Sequence, residues 1–112
     1  MFKNYLTYQF AVRFDQYCTL LNLPPKIQET LRTSSGAMLH HFTKSIYTPD
    51  PKERSKSIFV ALTTLRDCKN LLDENNVDQF EIQGRYEVLH GRFEQLCRQA
   101  AEAEDGQLRM LG

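Results

Sequence analysis

Residues 50–76, DPKERSKSIFVALTTLRDCKNLLDENN, are where a helix start signal, an apolar period and a stop signal agree, and they constrain the rest of the chain. Asp50 suits the N-cap, where a carboxylate accepts one of the orphan N–H groups of the first turn. Pro51 suits the first helical position, with φ preset and no N–H wasted, and Glu53 sits where a capping-box carboxylate reaches back. From there Ile58, Ala61, Leu62, Leu65, Cys68 and Leu72 recur at helical spacing. That lays them along one side of a 3.6-residue helix. Such a stripe needs partners, so the chain must supply further amphipathic helices.

Three more patterns follow. Residues 5–22 place Leu6, Phe10, Phe14, Tyr17 and Leu21 along one side and a second stripe, Tyr5, Tyr8 and Val12, on another. Leu23-Pro24-Pro25 ends that helix, because the residue before a proline is pushed away from helical dihedrals. Residues 25–48 carry Ile27, Leu31, Ser34, Met38 and Phe42 on one face. Their middle, Thr33-Ser34-Ser35-Gly36-Ala37, is small enough for a neighbouring helix to approach closely, which would offset the ~1 kcal/mol that Gly36 costs relative to Ala.

Thr48-Pro49-Asp50-Pro51 punctuates the entry to the third helix, expected over 51–75. Asp78 and Glu81 offer a capping box to a fourth, expected over 78–104. There Ile82, Tyr86, Leu89, Phe93, Leu96 and Ala100 alternate spacings of four and three, the seam of a coiled-coil-like bundle. Acidic residues near its end oppose the helix dipole, so residues 105–112 are expected to form a frayed tail.

The fold implied is all-α, an antiparallel up-and-down four-helix bundle joined by short turns. With 112 residues the chain holds one core, a single domain over 1–112. Leu6, Phe10, Leu31, Met38, Leu62, Leu65, Leu89 and Phe93 are its expected centre.

More apolar surface is present than such a core can use. Phe80, Gly84, Val88 and Gly91 lie along the side of the fourth helix opposite the seam, and two glycines there weaken a helix whose outer face should be in water. With Tyr5, Tyr8 and Val12 they are read as a subunit interface, since a helix apolar on two sides is covered on two sides. Val60, Thr64 and Leu71 on the third helix point the same way. A homo-oligomer is the resulting expectation.

Fourteen basic and fourteen acidic residues cancel, so no overall field attracts a polyanion. Nucleic-acid contact would need local groups pooled between copies, and Lys52, Arg54, Lys56, Arg85 and Arg92 are the candidates. Nothing resembles a signal peptide or the roughly 20 apolar residues of a membrane span, so a cytoplasmic location with no membrane partner is expected. Cys18, Cys68 and Cys97 are odd in number and far apart, and read as small core residues.

Glu87 and His90 have the Glu-x-x-His spacing of di-iron bundles, but only one copy occurs and both flank the seam. A solvated Glu and a helix-flank His are favoured over a metal-binding bundle. His40 and His41 point about 100° apart on a helix and read as boundary residues. No Gly-rich elbow or phosphate loop accompanies the cysteines or histidines. The expectation is a non-enzyme with no catalytic residues, no cofactor, no metal and no small-molecule substrate.

Leu23-Pro24, the run Leu31-Arg32-Thr33-Ser34-Ser35, and Phe59, Ala61, Leu62, Thr64, Leu65 and Asp67 resemble a bacterial four-helix-bundle family. It comprises the proteins encoded by intervening sequences in 23S ribosomal RNA genes and the accessory (variability determinant) proteins of diversity-generating retroelements. The last set is similar to the family's Phe-x-x-Ala-x-Gly-Ser-x-x-Glu run, with Asp for Glu. Where the family carries Asn-Ile-Ala-Glu-Gly, this chain has His40-His41-Phe42-Thr43-Lys44.

The resemblance implies a homo-oligomer, commonly a pentameric ring, without catalytic activity. In the retroelement branch it implies binding to a reverse transcriptase and to RNA or DNA. The leading expectation is therefore a non-enzymatic homo-oligomeric scaffold or adaptor, and the alternative is a nucleic-acid-binding accessory protein of a reverse transcriptase.

Overall fold

The computed structural model describes the backbone of residues 4–111 and the side chains of residues 4–103. Among the described residues there are four α-helices: α1 Tyr5–Leu20, α2 Pro25–Ile46, α3 Pro51–Glu74 and α4 Phe80–Leu111. No strand occurs among the described residues. α1 packs against α2 and α4, and α3 against the same two, in a body of 53 × 25 × 19 Å.

α3 follows its sequence signals closely. The Glu53 N–H donates to Asp50 Oδ2 at 3.3 Å, with Pro51 in the first turn. Ile58, Ala61, Leu62, Leu65, Cys68 and Leu72 are all buried. The exit is built from backbone. Asn76 takes φ 57°, the Val77 N–H donates to Leu72 O at 2.8 Å, and the Asn76 N–H to Asp73 O at 3.1 Å. This is a Schellman motif with an Asn in the left-handed position, and the buried Val77 provides its apolar contact.

That motif corrects the expected start of α4. It carries the chain through 77–79 in non-helical conformation, so α4 begins at Phe80 and not Asp78. Instead of closing a capping box, Glu81 accepts hydrogen bonds from Tyr17 and Arg85. α4 then runs to Leu111, beyond the end expected near 104. Ala100, Ala101, Ala103, Gln107, Leu108 and Met110 are helix formers, and they outweigh the unfavourable acids. The side chains of the expected frayed tail, 105–112, lie outside the described residues.

α1 meets the core with a different face from the one expected. Thr7, Ala11, Phe14 and Cys18 are buried, while Leu6 is 50% exposed. Phe10, Tyr17 and Leu21 are half-buried against the core. A helix apolar on nearly every side leaves the choice of face to packing, and the smaller Thr7, Ala11 and Cys18 let α1 sit close. At its end, Gln28 Nε2 donates to Cys18 O at 2.8 Å and Arg32 Nη2 to Thr19 O at 3.2 Å. Two side chains of α2 thus satisfy carbonyls that α1 leaves open.

On α2 the buried row is Gln28, Leu31, Ser35, Met38, Phe42 and Ser45, so Gln28 and Ser35 replace the expected Ile27 and Ser34. Ser35 Oγ donates to Asp15 Oδ1 at 2.6 Å, a polar link to α1. Gly36 is exposed, and a Cβ there would meet nothing within 4 Å. The close approach expected at Gly36 is absent there, and the buried small residue of this stretch is its neighbour Ser35. Leu31, Met38, Leu62, Leu65, Leu89 and Phe93 occupy the centre as expected.

Candidate interaction face

The seam of α4 is buried as its period requires, through Ile82, Tyr86, Leu89, Phe93 and Ala100. Helical geometry then turns Phe80, Gly84, Val88 and Gly91 to the opposite side. Phe80 is 93% exposed and Val88 50% exposed, and a Cβ added at Gly84 or Gly91 would meet nothing within 4 Å. A groove of about 630 Å³ opens along this side, with Phe80, Gly84 and Val88 on α4 and the half-buried Phe10 on α1.

Its polar edge is a small network. The Tyr17 hydroxyl donates to Glu81, Arg85 Nη2 donates to the same carboxylate at 3.2 Å, and the guanidinium lies 4.6 Å from the Tyr17 ring centroid. Hydrogen bonds from Tyr17 first and Arg85 second hold the Glu81 carboxyl below the usual carboxylate range. Arg85 Nε is buried without a hydrogen-bond partner among the described residues. This edge fastens α1 to α4 and leaves the apolar floor open.

The other interface candidates are less uniform. Tyr5 is 46% exposed. Tyr8 is half-buried and packs against the core, so the second stripe of α1 is in part used within the chain. Val12 is also half-buried. On α3, Val60 is 37% exposed while Leu71 packs against the core.

The five candidate cations fall in separate places. Arg85 is paired with Glu81, and Lys56 with Glu53 at 3.4 Å, both as intrahelical neighbours. Lys52 and Lys56 border an apolar groove between α3 and α4 that includes Phe59 and Cys97. Arg92, on α4, reaches across to α1, with Nη1 donating to Thr7 Oγ1 at 3.2 Å and its guanidinium 4.9 Å from the Phe10 ring centroid. Arg54 lines a cavity at the start of α1.

His90 stands between two charged side chains: Arg66 Nε donates to its Nε2 at 3.2 Å, and its Nδ1 lies 3.0 Å from a Glu94 carboxylate oxygen. Glu87 is exposed and takes no part in these contacts. Among the described residues, no three His, Cys, Asp or Glu side chains come together as a metal site. Cys18 and Cys68 are fully buried and Cys97 is half-buried. Burial pushes the Cys97 thiol up, away from the thiolate form that a nucleophile needs. The His40 and His41 rings meet edge to face, 5.2 Å apart.

No described helix is long and apolar enough to cross a membrane. No protein-family model matches the sequence, and neither the curated proteins nor the solved structures contain a match.

Phe10, Tyr17 and Glu81 also stand at this face, where the sequence does not place them: their spacing puts Phe10 and Tyr17 on the core side of α1 and Glu81 in a capping box. The Glu81 to Arg85 spacing of four was a readable signal for an intrahelical pair, whereas the Tyr17 contact joins distant segments and left no local trace.

Proposed function

We propose that this chain is a non-enzymatic scaffold or adaptor that acts as a homo-oligomer, with the outer side of α4 and the flank of α1 as the subunit contact. The groove of Phe10, Phe80, Gly84 and Val88 carries this reading. A phenyl ring 93% exposed on a helix side that also carries two helix-weakening glycines, Gly84 and Gly91, is costly for an isolated chain. It is favourable once a second copy covers it, because buried apolar area contributes about 25 cal/mol per Å². Glycines opposite a partner also allow backbone to approach.

The subunit is read as an antiparallel up-and-down bundle. In support, pairs between helices run in opposite senses: Thr7 meets Arg92 and Tyr17 meets Glu81, Asp15 meets Ser35 and Cys18 meets Gln28, Arg66 meets His90 and Lys69 meets Gln83. The resemblance noted in the sequence implies a ring of five, in the cytoplasm.

The test is a pair of substitutions, Phe80→Asp and Val88→Asp. Neither side chain supports the core, so both variants should keep the helical circular dichroism of the parent while their solution mass falls. An unchanged mass in both would place the subunit contact elsewhere.

A further inference from the structure

Three arginines are half-buried among the described residues: Arg54, Arg85 and Arg92. A partly desolvated guanidinium ordinarily has a carboxylate beside it. Arg85 has Glu81. The Arg54 side chain has no hydrogen bond, ion pair or ring contact among the described residues, and Arg92 has only the neutral Thr7 hydroxyl and the Phe10 ring.

These two unneutralised groups line adjoining cavities at one end of the molecule. Arg92 lines one of about 420 Å³, Arg54 one of about 210 Å³, and Asn4, Leu96 and Gln99 border both. No carboxylate belongs to either lining among the described residues. The other polar groups are neutral donors. Gln95 and Gln99 stand one turn apart on α4, and the Asn4 side chain makes no capping bond to α1. Ile58 and Ala100 give the smaller chamber an apolar wall.

We infer that this double cavity binds a small organic phosphate monoester. Two positive charges without a counter-charge among the described residues match a dianion, and guanidinium forks pair with phosphate oxygens through parallel hydrogen bonds. The carboxamides of Gln95 and Gln99 supply further donors. Leu96, Ile58 and Ala100 take the uncharged body of the ligand. A monocarboxylate would neutralise only one of the two arginines.

Phenyl phosphate is the probe, titrated into the full chain at low salt and followed by calorimetry and by the side-chain amide resonances of Gln95 and Gln99. Benzoate, inorganic phosphate and a short 5′-phosphorylated single strand serve as comparison ligands. Saturable binding of phenyl phosphate is expected, with benzoate much weaker and both amide resonances shifting. Arg54→Gln and Arg92→Gln should each weaken binding at least about tenfold, the loss that follows from removing a charged hydrogen bond. Arg98→Gln, at an exposed position outside both cavities, should leave it unchanged. Because the Arg54 side chain makes no hydrogen bond, ion pair or ring contact among the described residues, that variant remains informative if Arg92→Gln unfolds. Absence of saturable binding, or equal losses in all three variants, would overturn the assignment. Tight binding of the single strand without phenyl phosphate binding would replace it with a nucleic-acid contact.

Discussion

The rings of Phe42 and Phe93 stack 4.9 Å apart at an interplanar angle of 27°, joining α2 to α4 through the centre of the bundle. Both side chains are fully buried. Phe93→Ala removes one ring and opens a cavity against the other, so it should cost about 3–5 kcal/mol. A domain of this size has roughly 5–15 kcal/mol in total. Urea denaturation should show a large drop in midpoint, and a loss below about 1 kcal/mol would be inconsistent with this packing.

Gln28 is the buried polar counterpart of that pair. Its amide serves the Cys18 carbonyl at 2.8 Å and its oxygen accepts from the Leu23 N–H at 3.4 Å, across the Pro24-Pro25 turn. Gln28→Leu keeps the bulk but strands these backbone groups, so a loss of about 1–3 kcal/mol is expected. Thr30→Val, exposed on the same helix, should change the denaturation midpoint little by comparison.

Asn76 holds the left-handed position at the end of α3 with φ 57°. Glycine reaches that conformation without a Cβ penalty. Asn76→Gly should therefore raise stability by up to about 1 kcal/mol and Asn76→Ala should lower it by a similar amount. Thermal melting of the two variants checks the sign, and a higher melting temperature for the alanine variant would contradict the motif.

Acid should loosen the edge between α1 and α4. The folded carboxyl of Glu81 is depressed below its usual value near 4.5, chiefly by the Tyr17 hydroxyl. The unfolded chain thus takes up this proton first as pH falls. The contribution to stability is complete above the ordinary carboxylate range and disappears as pH drops through the lower, folded value. Tyr17→Phe should be less stable than the parent at pH 6, with the difference shrinking toward pH 3. A difference constant across that range would rule out Glu81 as the responsible group. The carboxyl is solvent-exposed, so the effect is small.

Legibility of the fold in the sequence varied with the helix. α3 is readable to within one residue, starting at Pro51 as expected and ending at Glu74 where 75 is expected, because its cap, its proline and a clean apolar period agree. α4 was readable along its seam, where all the expected large side chains are buried or half-buried. Its start was missed because Val77 belongs to the end of α3, so Asp78 looked like a cap when taken alone. α1 was misread at Leu6, since apolar residues on several sides leave the core face to be chosen by the neighbours.

The interaction face was visible through Phe80, Gly84, Val88 and Gly91, whose placement follows directly from the seam they oppose. By contrast, the neighbourhood of Arg54 and Arg92 was invisible. Sequence proximity groups Arg54 with Lys52 and Lys56, which border a different groove. Only the meeting of the start of α1, the first turn of α3 and the later turns of α4 places the two arginines at adjoining cavities. No local spacing encodes such a meeting.

Self-association through α4 is tested most directly by the mass of the unmodified chain in solution, measured by sedimentation equilibrium over a wide concentration range. A stable species at a whole multiple, two or more, of 13.1 kDa is expected. A single species of 13.1 kDa at every concentration would contradict it.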